Sequence, residues 1–567
     1  IPFARSTCTE IFMMNCKNKI AWPEGNKGIF FLILILSIFF SYEMGNRHFA
    51  NPDEGRYVEI SREMIVTGDF VTPRLNGLKY FEKPPLFYWM QAGAIKVFGI
   101  NETSMRLWTV IFAVLGCLGV FLVGSKCYSS TVGLISSTVL ATNILYYAHS
   151  RLIILDLVMS VLMSGTLWCF FLAFVRGNYR KSTIIAMYAF SAFSCLTKGL
   201  IGIVLPGFVA FLWIVFSKNW SKIKNIFYMP GILVFLAIFL PWHIVVAIRN
   251  DDFIYFYFVV EHFLRYTTTI HHRHQPFWFF LPILLVGFMP WTGFSLVAIK
   301  NSFKRIRDSE HMFLMCWIFG ILGFFSFSNS KLIPYVLPIL SPVALITGIT
   351  LAKSFDFNSS DFKMGVLSNI VLWVLIAFIA YFFAKSEIED LFQNSDVMLV
   401  IKIFAGLFIA AVIILMSALC FRISRVAVTL IYAFIGVNMM WVINSAVVFY
   451  QEAKKPTTKY IAETINFNKK NDDLVFCYKR YYPDFSVYLN SAVGVVDFIG
   501  EFEFGAKAEP NNNKLIAEEE FWKFWNTTNK RIFLLLSHEH YRNIFTTGIL
   551  AHRILDWDKH FAVITNK

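Results

Sequence analysis

The chain has 567 residues, of which 57% are hydrophobic, 18% aromatic and only 16% charged, and Lys+Arg 51 against Asp+Glu 37 leaves a net charge of +14. Soluble domains carry about 25% charged residues, so this composition excludes a disordered chain and a soluble enzyme and describes a polytopic membrane protein. The basic excess then reports topology rather than nucleic-acid binding.

The chain opens on Ile1; Met13 or Met14, followed by Lys17, Lys19 and Lys27, reads as a natural start with a charged leader. The apolar run 28–41 has no small-residue cleavage site and reads as a retained signal anchor. About thirteen runs approach the length of a bilayer-spanning helix. They fall near 28–44, 106–125, 131–148, 152–175, 182–197, 199–217, 226–247, 276–299, 311–328, 332–352, 364–384, 398–421 and 425–449, and Lys198-Gly199 alone separates the fifth from the sixth. With the N-terminus inside, one side collects Arg176/Arg180/Lys181, Lys218/Lys222/Lys224, Lys300/Lys304/Arg305/Arg307, Lys353/Lys363 and Arg422/Arg425. The other side is poor in Lys and Arg, and its loop near 385–397 is acidic. That asymmetry is the positive-inside pattern, and an odd span count places the C-terminal region outside.

The expected organisation is a cytoplasmic N-terminus over 1–27, a transmembrane domain over 28–450 and a soluble domain over 451–567. Three pieces lie on the outer side: the first loop 45–105, the loop 248–275 and the C-terminal domain. In the first loop Asn51 reads as an N-cap with Pro52 at the first helical position; Tyr57, Ile60 and Met64 follow at helical spacing, and Gly68 stops the run. A second short helix follows Pro85 and ends at Gly99, and both are expected to lie on the membrane surface. The C-terminal domain mixes strand-like runs (474–478, 485–490, 493–498, 532–537) with helical patterns (457–467, 518–526, 538–546), which predicts a small α/β unit. Most of the nine cysteines lie inside apolar runs, without C-x-x-C pairs or metal spacing.

Ionisable groups at membrane edges are costly and usually functional. On this topology Asp53, Glu54, Arg56, Glu82, Lys83, Arg151, Asp156, Lys198, His243, Glu261, His262, Lys331 and Tyr335 all fall at the outer face, which predicts an outward-facing polar site. Asp53-Glu54 opens a helix, where acidic residues also serve the helix dipole. Glu82-Lys83 is held extended by Pro84-Pro85 and can meet a metal, a phosphate or each other. Asp156 needs a cationic partner, and Arg151 or Lys198 would serve. Lys198 and Lys331 sit at helix junctions, where they can also snorkel to lipid phosphate. The Glu261-His262 and His271-His272-Arg273-His274 loop is rich in metal ligands but lacks H-E-x-x-H spacing.

Asn51-Pro52-Asp53-Glu54-Gly55-Arg56-Tyr57, Gly68-Asp69-Phe70-Val71-Thr72-Pro73-Arg74-Leu75-Asn76-Gly77 and Leu78-Lys79-Tyr80-Phe81-Glu82-Lys83-Pro84-Pro85-Leu86 together closely resemble the aminoarabinose transferases of Gram-negative bacteria. Those are GT-C glycosyltransferases, distantly related to protein O-mannosyltransferases. The resemblance continues through Leu196-Thr197-Lys198-Gly199-Leu200, Glu261-His262-Phe263 and Ser330-Lys331-Leu332-Ile333-Pro334-Tyr335. It implies a GT-C fold in the bacterial inner membrane, with a periplasmic site and a periplasmic C-terminal α/β domain. It also implies transfer of 4-amino-4-deoxy-L-arabinose from undecaprenyl phosphate to lipid A phosphates, with lower surface charge and cationic-peptide resistance.

By motif match, the resemblance implies Asp53, Lys83 and Asp156 as catalytic residues. Arg56, Tyr80, Lys198, Arg265, Lys331 and Tyr335 are expected to bind substrate, with Arg273 an alternative phosphate arginine. Glu82 and His262 are expected to hold a divalent metal, zinc by the resemblance. The expected partners are the undecaprenyl-phosphate-linked aminosugar, lipid A and membrane lipids, with no nucleic acid, and a monomer suffices. A relative using galactosamine or mannose, or a lipid or sugar transporter, would share much of this architecture.

Overall fold

The computed structural model describes residues 25–267, 274–356, 360–388, 425–454, 457–545 and 552–567, with scattered positions between 402 and 417. The leader, His271-His272-Arg273, most of the 385–397 loop, most of the 398–421 run and Arg422 lie outside the described residues.

Among the described residues, twelve of the thirteen expected runs are helical, and the thirteenth, 398–421, lies mostly outside them. Among the described residues, six helices are long and apolar enough to cross a membrane, and two bent pairs bring the number to eight. Shorter apolar helices cover Gly25–Ser41 and Ile201–Ser217. The chain is a multi-pass membrane protein. Two runs expected to be continuous are broken. Ser130–Ala141 and Ile144–Ser150 meet at 67°, and Phe280–Gly287 and Thr292–Lys304 at 116°. In the first, the Asn143 side chain accepts from Tyr146 N–H at 3.1 Å and starts a new helix. In the second, Pro290 supplies no N–H to continue the ladder. The Lys198-Gly199 junction is real: helix Lys181–Lys198 stops where Gly199 takes φ +97°.

At one end of the bundle sit the first loop and the C-terminal domain. Helix Asp53–Thr67 ends at Gly68, whose φ of 71° is the left-handed cap, and helix Leu86–Phe98 ends at Gly99. Asn51 does not cap: its Nδ2 donates to Asp484 Oδ1 at 2.6 Å, across to the C-terminal domain. Nor is Asp53–Thr67 a surface helix, because ten of its fifteen residues, from Glu54 to Met64, are buried. Its apolar residues Tyr57, Val58, Ile60 and Met64 join Ile153, Leu155 and Val158 of the bundle in one core with Val475, Cys477, Phe533 and Leu535 of the C-terminal domain.

In the first loop β1 (Arg74–Leu75) pairs antiparallel with β2 (Leu78–Lys79). The C-terminal domain holds β3 (Leu474–Tyr478), β4 (Gly494–Val496), β5 (Leu515–Ile516), β6 (Ile532–Ser537), β7 (Arg553–Trp557) and β8 (Phe561–Thr565), in the sheet order β5-β4-β3-β6-β8-β7. The strands β3 to β6 are parallel, whereas β7 and β8 run antiparallel at the edge. Alternate residues divide the two faces, as a two-residue period requires. Val475, Cys477, Phe533 and Leu535 face the first loop, while Phe476, Tyr478, Leu534 and Leu536 pack on Phe521 and Trp525. The run 485–490 is not a strand but the helix Pro483–Leu489, because Pro483 sits in its first turn, where the missing N–H costs nothing. β5, β7 and β8 escape the sequence reading.

Candidate active site

A cavity of about 950 Å³ opens where the first loop, the loop after Arg249 and several helix ends converge. Ten expected site residues line it: Asp53, Arg56, Tyr80, Glu82, Lys83, Asp156, Lys198, His262, Arg265 and Tyr335. Lys331 does not. It is buried and its Nζ donates to the carbonyls of Ser328 and Gln275 at 2.6 and 2.8 Å, so it ties the loop before Ile333 to the segment before Phe280.

Helical spacing places Asp53 and Arg56 on one turn, where Arg56 Nη2 pairs with Asp53 Oδ1. Pro84 and Pro85 delay the next helix until Leu86, which leaves Glu82 and Lys83 in the extended connection that faces the cavity. Lys83 Nζ donates to Glu261 Oε2 at 3.2 Å and to the Glu82 carbonyl at 2.7 Å. Arg265 Nη1 donates to the same Glu261 oxygen at 2.7 Å. Two cations thus share one carboxylate. Burial, helped by the Arg265 charge, lowers the Lys83 ammonium to about 8 against the pull of Glu261 and Glu82.

Asp156, in the first turn of helix Leu155–Phe170, pairs with Lys198 at the last position of helix Lys181–Lys198. Arg151 is not the partner; it donates instead to the Tyr147 hydroxyl at 2.6 Å. A lone aspartate at a membrane edge is costly, and Lys198 removes that cost. The Lys198 ammonium also lies 4.8 Å over the Tyr335 ring. Phe258, Phe263, Phe324, Phe325 and Ile333 make the rest of the wall apolar.

Glu54 lines the same cavity but is closed off. Its oxygens accept from Arg47 Nη2 at 2.6 Å, Arg106 Nη2 at 3.0 Å, and the Ala50 and Ile153 amides at 2.8 and 2.9 Å. Burial alone would raise its carboxyl; Arg106 and Arg47 outweigh that and hold it below the usual range.

The residues present do not fit a metal held by Glu82 and His262. A metal needs a free imidazole lone pair. His262 Nδ1 bonds to the Tyr257 carbonyl at 2.6 Å, and Nε2 accepts from Leu200 N–H at 3.1 Å. Among the described residues no group of three His, Cys, Asp or Glu is placed to hold an ion. The imidazole instead packs on the helix junction, since a Cβ on Gly199 would overlap it.

In the sequence Glu261 stands among the outer-face groups and possible metal ligands; its four-residue spacing to Arg265 is the local signal of an ion pair. Glu501 escapes the sequence reading: it accepts from Arg56 Nη1 at 2.6 Å across 445 residues, and no local pattern could reveal that.

Residues 82–245 match the family described as dolichyl-phosphate-mannose-protein mannosyltransferase. The undecaprenyl phosphate-alpha-4-amino-4-deoxy-L-arabinose arabinosyl transferase of Pseudomonas aeruginosa (strain UCBPP-PA14) is 30% identical over 382 residues, 66% of this chain and 69% of the relative. The Erwinia tasmaniensis protein of the same name is 29% identical over 349 residues, 61% of this chain. The chain spans 63% of the length of the Erwinia relative and 61% of that of a Proteus mirabilis relative. The crystal structure of ArnT from Cupriavidus metallidurans bound to undecaprenyl phosphate superposes with a TM-score of 0.82 at 24% identity, over 96% of this chain and 99% of that one. That likeness assigns the GT-C fold with its C-terminal α/β domain. An oligosaccharyltransferase from Archaeoglobus fulgidus shares the fold more loosely, with a TM-score of 0.52 at 13% identity over 90% of this chain and 69% of that one. On these matches the chain belongs to the family of undecaprenyl phosphate-alpha-4-amino-4-deoxy-L-arabinose arabinosyl transferases.

Proposed function

We propose that this protein moves 4-amino-4-deoxy-L-arabinose from undecaprenyl phosphate to the phosphate groups of lipid A. The donor follows from the relatives' names. The observation that carries the reading is the pair of cations, Lys83 and Arg265, gathered on Glu261 at the polar part of a cavity with apolar walls. Such a cavity suits a ligand that joins a phosphate to a long hydrocarbon.

The reaction needs one bond made and one broken. A phosphate oxygen of the acceptor attacks the anomeric carbon, and the bond from that carbon to the donor phosphate breaks. The polyprenyl phosphate leaves with the electron pair. A phosphate monoester is already anionic near neutral pH, so no strong base is required. Catalysis then rests on positioning and on charge at the leaving phosphate. Lys83 and Arg265 supply that charge through charge-assisted hydrogen bonds. Asp53 orients the sugar, and Lys198, set by Asp156 and Tyr335, holds a second anionic group.

The cavity lies at the end of the bundle opposite Arg176, Lys222, Lys304 and Lys353, which supports a periplasmic site and a cytoplasmic N-terminus. The test is mass spectrometry of lipid A from a Gram-negative strain lacking its own transferase, with and without this gene and with the donor supplied. A pentosamine increment supports the reading. A hexosamine increment keeps the chemistry and changes the sugar, and no increment from folded protein overturns it.

A further inference from the structure

The proposed transfer leaves residues 451–567 without a task, and any role for them at this site rests on that reading. Three observations set one segment of the C-terminal domain against the polar part of the cavity. Glu501, on the 3₁₀ turn Gly500–Phe502, takes one arm of Arg56, while the other arm goes to Asp53. The Phe504 ring stands 5.4 Å from Phe81, next to Glu82, and 4.2 Å from Phe256 on the π-helix that carries Glu261. Helix Glu503–Ala508 then docks by its backbone on β2 (Leu78–Lys79) of the first loop. A Cβ on Gly505 would stand 2.7 Å from the Lys79 carbonyl oxygen, and Glu509 accepts from Lys79 N–H at 3.2 Å and Arg74 Nη1 at 3.0 Å.

A guanidinium is a rigid planar fork, so the partner of one arm sets where the other arm points. With Glu501 holding Nη1, Arg56 reaches Asp53 through Nη2 alone, and the Asp53 side chain stays 61% exposed. Without Glu501 both arms are free to close on Asp53, which occupies both carboxylate oxygens and neutralises it more completely. We propose that the C-terminal domain completes the transfer site, with Glu501 as a positioning residue that draws off one arm of Arg56 and keeps an oxygen of Asp53 available to the sugar.

The test uses the full chain in lipid vesicles, with a polyprenyl-phosphate aminopentose as donor and lipid A as acceptor. kcat and acceptor KM are measured for wild type, Glu501→Gln, Arg56→Gln and the double variant. Glu503→Gln is the control, because Glu503 and its partner Lys507 are 63% and 74% exposed. The expected result is a fall in kcat of about tenfold for Glu501→Gln, the scale on which small misplacements act, with acceptor KM and Tm unchanged. In the Arg56→Gln background the same substitution costs nothing further, and Glu503→Gln keeps full activity. Wild-type kcat in Glu501→Gln, or losses that multiply in the double variant, would overturn the proposal. Should Glu501→Gln not accumulate, Glu501→Asp decides: an intermediate kcat supports the assignment and a wild-type kcat refutes it. A wild-type protein that transfers no aminosugar fails the function itself, which that arm alone reveals.

Discussion

Asp53 and Glu54 are neighbours in sequence, yet their carboxylates end in opposite surroundings. Glu54 is 1% exposed, and its oxygens are filled by two arginines and two backbone amides. Asp53 is 61% exposed and takes one arm of one arginine. The same contrast separates the clusters around them. Arg47 and Arg106 also donate to the carbonyls of Arg151, Met44 and Arg47, which locks the bundle to the first loop. Lys83, Arg265 and Lys198 each pair with a carboxylate and face the cavity. Residue type therefore does not assign the role; whether the backbone has used up the group's hydrogen-bonding capacity does.

Breaking the closed cluster should have the largest effect. Glu54→Ala leaves two buried guanidinium groups without their anion, which costs about 3–5 kcal/mol. Thermal unfolding should show a steep loss of folded protein, whereas Asp53→Ala should leave Tm near wild type and abolish transfer. In the open cluster, Lys83→Ala should lower transfer about 10²–10³-fold, the scale of removing one charge-stabilising donor, without lowering Tm. A Lys83→Ala protein of normal activity would remove Lys83 from the site.

The pH dependence sharpens the contrast between activity and stability. Lys83 is protonated, and able to hold a phosphate, below its folded value of about 8. Transfer should therefore fall as pH rises through 8, and Lys83→Arg should move that limb out of range. The unfolded chain binds this proton more tightly, up to its value of 10.5, so this group's contribution to stability grows between 8 and 10.5. Activity and Tm then move in opposite directions over that window. The smallest effect is at His262. His262→Gln can still accept from Leu200 N–H and should keep transfer within about threefold, while His262→Ala, losing a hydrogen bond worth about 1 kcal/mol, should fall further. A metal ligand would lose activity and bound metal in both variants, which elemental analysis of the purified protein would detect.

Much of this site was legible because its residues announce themselves locally. Asp53, Glu82 and Lys83 sit in one loop whose prolines and glycines mark the turns, and Lys198 precedes a glycine that ends a helix. Asp156 needed a cation, and only the fold decided between Arg151 and Lys198. The sequence could not reveal Glu501, because its partner lies across the chain and its own surroundings, a short turn between β4 and a two-turn helix, look like loop. Asn51 misled for the same reason: a residue type that caps helices was used to reach Asp484. His262 reads as a ligand by type, and only the fold reveals that both its ring nitrogens meet backbone partners.

The most direct measurement is single-turnover transfer by the purified chain in vesicles, comparing wild type with Lys83→Ala at matched Tm. Wild type should release polyprenyl phosphate and add one pentosamine to lipid A per donor consumed, and Lys83→Ala should do neither on the same timescale. Equal transfer by both proteins would contradict the role given to Lys83.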